Sequence, residues 1–177
     1  MNRRVPVLAE SGMMLAVSLA LAQVKLFQLP SGGSVSLGFW PVMILAARRG
    51  WRVGVTTGAL LGVLSAVLKP FVVHPVQCVL DYPLAFASLG LAGVWVWATP
   101  TRAAVASLVA NLARLACHVV AGAVFFTGGN PAAVTWMGAL GVGLGYNLLH
   151  VGPEALLGVI LSAMLTRQHP ALVSRQD

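Results

Sequence analysis

The sequence predicts an all-α membrane protein: a single six-helix transmembrane bundle over residues 1–177, with both termini in the cytoplasm. Three observations support this prediction. The 177 residues are 58% hydrophobic and only 8% charged, the apolar residues form six long runs, and basic residues lie between those runs. A soluble domain carries about 25% charged residues, and in water this chain would expose apolar patches larger than a soluble monomer tolerates. The composition excludes a cytosolic enzyme, a disordered chain and a nucleic-acid-binding protein.

Six apolar runs supply the predicted helices, because a membrane-spanning helix needs about 20 mostly apolar residues. The runs lie within residues 5–29, 35–47, 53–68, 76–97, 103–126 and 134–165. The second run is short and can pack with the third as a hairpin. The sixth is long and contains Gly-rich and Gly-Pro interruptions.

Helix-breaking or charged residues mark the end of each run. The first run contains Glu10 and Gln23 and has no small-residue cleavage site, so it does not have the pattern of a signal peptide. The six runs end, in order, at Pro30-Ser31-Gly32-Gly33, Arg48-Arg49-Gly50, Lys69-Pro70, Thr99-Pro100, Gly128-Gly129-Asn130-Pro131 and Arg167. No internal repeat and no linker divides the chain, which predicts one bundle.

The basic residues predict the orientation of the bundle. With six helices both termini share a side, and cytoplasmic loops of membrane proteins carry an excess of Lys and Arg. With the N-terminus inside, the cytoplasmic set is Arg3, Arg4, Arg48, Arg49, Arg52, Arg102, Arg167 and Arg175. The opposite side keeps only Lys25 and Lys69, while Arg114 lies within the fifth run. The net charge of +7 is therefore an orientation signal.

Ionisable residues at membrane depth are costly and are candidates for function. The candidates are Glu10, Asp81, Arg114, His118 and Glu154, with His74 and His150 nearer the edges. Toward the predicted outer side, an acid, imidazole, amide, phenol and aromatic rings converge, which suits a small, flat, polar or cationic ligand. The residues of this outer group are His74, Gln77, Asp81, Tyr82, His118, Phe126, Tyr146 and Asn147.

Structural roles remain open for the same residues. Asp81 and Arg114 can form an internal ion pair that fixes helix register, and His118 can be a buried histidine whose hydrogen bonds are satisfied. Several aromatic residues near predicted helix ends can belong to an interfacial belt: Trp40, Trp51, Tyr82, Trp95, Trp97, Trp136 and Tyr146.

The first run carries a stripe of small residues, Gly12, Ala16 and Ala20, which permits close approach of another helix. Packing inside the bundle and docking of a partner protein are both compatible with this pattern.

Catalytic and cofactor motifs are absent from the sequence. There is no HExxH, GxSxG or GxxxxGK[ST] motif, so the chain is predicted not to be an enzyme and not to hydrolyse ATP. Cys78 and Cys117 form no CxxC and are predicted to be free thiols. No metal or cofactor is expected.

Several segments together resemble one known family. They are Gly32-Gly33-Ser34-Val35-Ser36-Leu37, Pro41, Arg48-Arg49-Gly50, His74-Pro75-Val76-Gln77, Leu80-Asp81-Tyr82-Pro83-Leu84-Ala85-Phe86, His118-Val119-Val120-Ala121-Gly122 and Tyr146-Asn147. In this order, over nearly the whole chain, they resemble the thiamine-specific S components of energy-coupling factor (ECF) transporters. The LDYPLAF and RRG segments are the most specific parts.

The resemblance implies a six-helix, vitamin-binding subunit of the bacterial cell membrane with a thiamine pocket near the outer face. It implies three partner subunits, namely a transmembrane coupling subunit and two ABC ATPases. The binding residues that it implies are Asp81, Tyr82, His118, Gly122, Phe126 and Asn147. It assigns docking on the coupling subunit to Gly12, Ala16 and Ala20.

The sequence also departs from the family pattern. Some members have Glu at position 81, Trp at 126, a pocket Trp at 32 and Tyr at 142, where this chain has Asp81, Phe126, Gly32 and Val142. Fewer aromatic walls weaken stacking, so a related precursor or another vitamin stays open as the ligand. A solitary membrane facilitator is the alternative from another class.

Overall fold

The computed structural model describes residues 4–29, 33–128, 130, 132 and 135–176. The described residues form six helices and one small hairpin, which confirms the all-α prediction. The helices are α1 (Arg4–Gln23), α2 (Trp40–Arg49), α3 (Trp51–Leu68), α4 (Pro75–Gly93), α5 (Pro100–Phe125) and α6 (Trp136–Gln168). A short 3₁₀ turn, Pro170–Leu172, follows α6. Arg3, Pro30, Ser31, Gly32, Gly129 and Pro131, which the sequence analysis singled out, lie outside the described residues.

Five of these six helices are long and apolar enough to cross a membrane, namely α1, α3, α4, α5 and α6. The helix α2 has only 10 residues, which is about 15 Å, or half the thickness of the hydrocarbon core. It is joined to α3 through Gly50, whose φ of 86° lies in the region that favours glycine. The two helices pack against each other as the expected hairpin.

The first helix is shorter than the apolar run that predicted it. Helix α1 stops at Gln23, and the chain then forms strand β1 (Phe27–Gln28), which pairs antiparallel with β2 (Ser34–Val35). The apolar run predicted helix as far as residue 29 and no strand. Two-residue strands are too short to produce a visible alternation of apolar and polar residues.

The core of the bundle lies around α2. Phe39, Val42 and Met43 are almost fully buried against Leu61 of α3 and Leu89 of α4. Alanines 103, 106 and 110 allow α5 to pack against this cluster. A short apolar helix surrounded by longer ones therefore forms the centre of the molecule.

Trp97 does not belong to an interfacial belt. Trp97 is buried in the core cluster, and its indole N–H donates to the carbonyl of Ala92 at 2.9 Å. Trp51 and Trp95 are exposed, as belt residues must be. The prediction was wrong for Trp97 because the chain after α4 folds back over the core.

Basic residues gather at one end of the bundle. The Glu10 carboxylate accepts hydrogen bonds from Arg48 and Arg49, and the Arg48 guanidinium also donates to the Leu172 carbonyl at 2.8 Å. Arg175 donates to the carbonyl of Gly93. The first half of α1, the end of α2 and the C-terminal segment thus meet at one end. Its assignment to the cytoplasm remains a prediction from the charge distribution.

Candidate ligand-binding site

A glycine stripe on α3 sets the position of α4. At Gly54, Gly58 and Gly62, an added Cβ would meet the nearest heavy atom at 2.4, 2.2 and 2.4 Å. At Gly58 and Gly62 that atom is a backbone carbonyl oxygen of α4, belonging to Phe86 and Tyr82. Because no side chain separates the two helices, their backbones pack directly against each other. This close packing fixes the turn of α4 that carries Asp81 and Tyr82.

That turn is a π-helix, Leu80–Leu84, in the middle of α4. Its i→i+5 hydrogen bonding accommodates Pro83, which has no N–H to donate to an ordinary helix. Such wide turns recur at functional sites. Asp81 and Tyr82, both predicted to bind ligand, lie in it side by side.

The Asp81 carboxylate contacts α5 directly. One oxygen lies 2.8 Å from Nδ1 of His118, and the other accepts a hydrogen bond from Gln77 Nε2 at 2.7 Å. The Gln77 amide is almost completely buried and also bonds the backbone of Phe71 and Val73. The segment before α4 is therefore attached to Asp81 through Gln77.

Helix α6 adds Asn147 to this group. Its amide donates to the carbonyls of His118 at 3.2 Å and Gly143 at 2.8 Å. Gly122, one turn after His118, faces the same amide, because a Cβ there would lie 3.2 Å from Asn147 Nδ2. We call Asp81, Gln77, His118 and Asn147 the polar cluster. It lies where α4, α5 and α6 meet.

The two predicted aromatic residues are connected to each other through Phe71. The Tyr82 hydroxyl accepts from the Phe71 N–H at 3.0 Å and donates to the Lys69 carbonyl at 3.2 Å. The Phe126 ring stacks on Phe71 with centroids 5.6 Å apart, and 42% of Phe126 is exposed. Four predicted residues, Asp81, His118, Gly122 and Asn147, thus form one contact group, and Phe71 links Tyr82 to Phe126 beside it.

Arg114 does not pair with Asp81, so that alternative is wrong. Its guanidinium bonds Glu154 of α6, and it lies 5.1 Å from the centroid of the Phe86 ring. Glu154 is only 2% exposed and accepts a further hydrogen bond from the Ser36 N–H at 2.8 Å. Glu154 therefore neutralises Arg114, and Asp81 is not used by this ion pair.

A cavity of about 160 Å³ lies between α1, α3 and the chain around β2. Its polar lining includes Arg114, Glu154, Ser36 and Ser65, and Tyr82 forms part of the wall. A cavity of about 150 Å³ is large enough for benzene, so one aromatic ring fits here. Of the six predicted binding residues, Tyr82 lines this cavity and the other five do not.

The small-residue stripe of α1 faces outward. Gly12, Ala16 and Ala20 are all exposed, and no atom of the described residues lies within 4 Å of a Cβ added at Gly12. Packing inside the bundle, one of the two readings of this stripe, is therefore wrong for the described residues. This exposed stripe is therefore available for contact with lipid or with a partner protein.

Sequence reasoning missed the central role of Gln77 and the ion-pair role of Glu154. Gln77 stands four residues before Asp81, a spacing that puts both on one helix face. Within the described residues, no group of three His, Cys, Asp or Glu side chains could hold a metal ion. Cys78 and Cys117 are free and half-buried.

The fold and the polar cluster define an α-helical, multi-pass membrane protein with a buried polar site between its helices. Comparison with known proteins identifies the family. The family described as thiamine transporter protein (Thia_YuaJ) matches residues 8–174, and this chain belongs to it. It is a multi-pass protein of the bacterial cell membrane.

Individual relatives agree with this assignment. The chain is 32% identical to thiamine transporter ThiT of Bacillus subtilis over 174 residues, covering 89% of this chain and 88% of that protein. It is 25% identical to thiamine transporter ThiT of Lacticaseibacillus paracasei, covering 93% and 86%. The solved structure of ThiT from Listeria monocytogenes superposes with a TM-score of 0.82 at 25% identity, covering 99% of this chain and 100% of that one.

Proposed function

We propose that this chain is the thiamine-binding subunit of an ECF-type importer. It captures thiamine at the outer face of the membrane and delivers it inward with an ATPase-driven coupling module. Membership of the thiamine transporter family supports the ligand. The observation that supports the site is the Asp81–His118 contact in the π-turn of α4.

Asp81 supplies the charge that thiamine requires. The thiazolium ring is permanently cationic, and a carboxylate within a few ångströms of it is stabilising at the low dielectric of a bundle interior. Because Arg114 is neutralised by Glu154, the charge of Asp81 is available to the cation. His118 and Gln77 hold the carboxylate in place.

The other residues orient the flat ligand. Tyr82 and Phe126 offer π-faces to the cation, and each such contact contributes up to about 2 kcal/mol when it is desolvated. The Asn147 amide already donates both N–H groups to backbone carbonyls. Its Oδ1 and the Nε2 of His118 can therefore accept hydrogen bonds from the amino group or the hydroxyethyl hydroxyl of the ligand. Gly122 lets α6 approach α5 closely enough to hold Asn147 in the site, since a Cβ there would lie 3.2 Å from Asn147 Nδ2.

The ATP hydrolysis belongs to partner subunits. The sequence contains no P-loop, and the exposed stripe Gly12, Ala16 and Ala20 offers a flat helix surface to a transmembrane coupling subunit. Two ABC ATPases complete the proposed complex.

A binding panel tests the ligand. Purified protein in detergent is titrated with thiamine, its pyrimidine and thiazole precursors, riboflavin and biotin. We expect thiamine to bind most tightly. A clear preference for a precursor or for another vitamin would contradict the thiamine assignment and favour a different S component.

A flux assay tests the coupling. The chain alone in liposomes is expected to bind thiamine but to give little sustained uptake, because no step in this chain consumes ATP. Sustained thiamine flux without ATPase subunits would show a solitary facilitator instead.

A further inference from the structure

His150 of α6 lies beside the polar cluster and has no role in the site described above. It is 8% exposed, and its ring centroid is 5.9 Å from that of His118 in an edge contact. It follows Tyr146 by four residues, so both project from the same face of α6, and their ring centroids are 5.7 Å apart. A second imidazole thus faces the contact between α5 and α6.

Each of these two imidazoles has one buried nitrogen without a hydrogen-bond partner among the described residues. On His118 this is Nε2 and on His150 it is Nδ1. Buried polar atoms in native proteins are nearly always satisfied by protein, water or ligand. Two such atoms on adjacent rings indicate that one polar group belongs between them.

The contact with Asp81 fixes what His118 can offer to that group. Nδ1 of His118 lies 2.8 Å from the carboxylate oxygen of Asp81, and a carboxylate can only accept. In a neutral imidazole, one nitrogen donates and the other accepts. His118 therefore donates through Nδ1 and presents Nε2 as an acceptor.

The backbone of Gly33 lies close to Nδ1 of His150. A Cβ at Gly33 would lie 2.8 Å from His150 Nδ1, and the Gly33 N–H donates to the Tyr146 hydroxyl at 3.0 Å. Because Gly33 has no side chain, its backbone can approach the imidazole closely. A group that bonds Nδ1 must therefore fit beside the Gly33 backbone.

We propose that His150 is a further substrate-binding residue, which together with His118 receives the exocyclic amino group of the aminopyrimidine ring. An amino group carries two N–H donors. Nε2 of His118 accepts one of them, and Nδ1 of His150 accepts the other in the tautomer that carries its proton on Nε2. This inference rests on the proposed function, because it takes thiamine as the ligand. It leaves the Asp81 carboxylate, already bonded to His118 and Gln77, to the cationic ring.

Two substitutions at position 150 separate hydrogen bonding from packing. His150→Leu removes both nitrogens, whereas the Asn of His150→Asn places a polar atom near the position of Nδ1. We expect His150→Leu to weaken thiamine binding by about tenfold or more and His150→Asn to stay within about threefold of the parent. His169→Leu, the same change at an exposed histidine beyond the site, should leave binding unchanged. Parent-like affinity of His150→Leu, or an equal loss in His150→Asn, would overturn the proposal.

A second ligand identifies the group that is bound. Oxythiamine carries oxygen in place of the amino group, so its affinity should change by less than about threefold between the parent and His150→Leu. An equal loss for thiamine and oxythiamine would mean that His150 supports the fold only. Absence of thiamine binding by the parent protein would instead refute the proposed function.

Spectroscopy on the unmodified protein covers the case in which His150→Leu does not fold. Histidine labelled with ¹⁵N reports all four imidazoles of the chain. Thiamine should shift the nitrogen resonances of His118 and His150, assigned with His150→Asn and His118→Gln, and leave those of His169 in place. An unshifted His150 resonance at saturating thiamine would show that thiamine does not bond Nδ1, and it would overturn the proposal.

Discussion

Asp81 is the residue on which the binding account depends most. It bonds His118 and Gln77 and lies in the widened turn of α4. The sequence indicated the importance of both Asp81 and His118, but it did not predict that they touch. Asp81 makes this contact from the π-turn of α4, and that turn was not predicted.

Neutralising Asp81 should weaken thiamine binding more than it weakens the fold. The amide of Asp81→Asn keeps a hydrogen-bond acceptor but removes the charge. Because interactions with a charged group contribute about 1.5–3 kcal/mol, we expect an affinity loss of roughly 10- to 100-fold. Titration calorimetry measures the affinity, and thermal unfolding in detergent measures the stability.

The matched control for this prediction is Glu10→Gln, the same acid-to-amide change at the opposite, arginine-rich end of the bundle. It should leave thiamine affinity unchanged. Equal thiamine affinities of Asp81→Asn and the parent would show that Asp81 is a structural residue.

At the scale of the element, the helices themselves were predictable and their irregularities were not. Long apolar runs specify α3 to α6 because lipid requires every backbone polar group to be bonded within its own helix. The 3₁₀ and π turns of α4 and the hairpin after α1 depend on packing with neighbouring elements. The glycines of α3 did carry a usable signal, since Gly54, Gly58 and Gly62 recur every four residues.

Replacing one of these glycines by alanine should displace the binding residues of α4, although the new side chain does not itself contact the ligand. In Gly62→Ala, the new methyl group would lie 2.4 Å from the carbonyl oxygen of Tyr82, so α4 must move. We expect thiamine affinity to fall by about tenfold or more, because a displaced π-turn moves Asp81 and Tyr82 together. Gly152→Ala on α6, where a Cβ meets nothing within 4 Å, should bind like the parent. Parent-like binding by Gly62→Ala would contradict the role of the close α3–α4 contact.

The Arg114–Glu154 ion pair links α5 to α6 inside the bundle. Glu154→Gln leaves a buried guanidinium without its counter-charge, and breaking a buried pair in this way destabilises proteins by about 3–5 kcal/mol. We expect a clearly lower midpoint of thermal unfolding. Replacing both residues by Met should recover much of the loss, since no unpaired charge remains. Unchanged unfolding of Glu154→Gln would show that the pair contributes nothing to stability.

At the scale of the whole molecule, the two ends of the bundle differ in their charged and polar residues. The arginine-rich end gathers Glu10, Arg48 and Arg175, and the polar cluster lies toward the other end. The uneven charge distribution predicted this separation before any contact was known. What it could not predict is which face of α1 packs inward, because the helix is apolar on nearly every side. The structure shows Gly12, Ala16 and Ala20 exposed.

A bulky residue on that face should separate binding from assembly. Ala16→Trp adds a large ring to the exposed stripe, so thiamine binding should remain while the complex with the coupling subunit is lost. Leu156→Trp, at an exposed position of α6, should affect neither. Co-purification of the subunits after expression together measures assembly. An intact complex with Ala16→Trp would contradict docking through this stripe.

Equilibrium binding of thiamine to the purified chain tests the central claim most directly. Calorimetry, with intrinsic tryptophan fluorescence as a second signal, gives affinity and stoichiometry without any partner subunit. The account predicts saturable binding of one thiamine per chain at about micromolar concentration or below. No detectable thiamine binding at about micromolar concentration by a correctly folded preparation would contradict it.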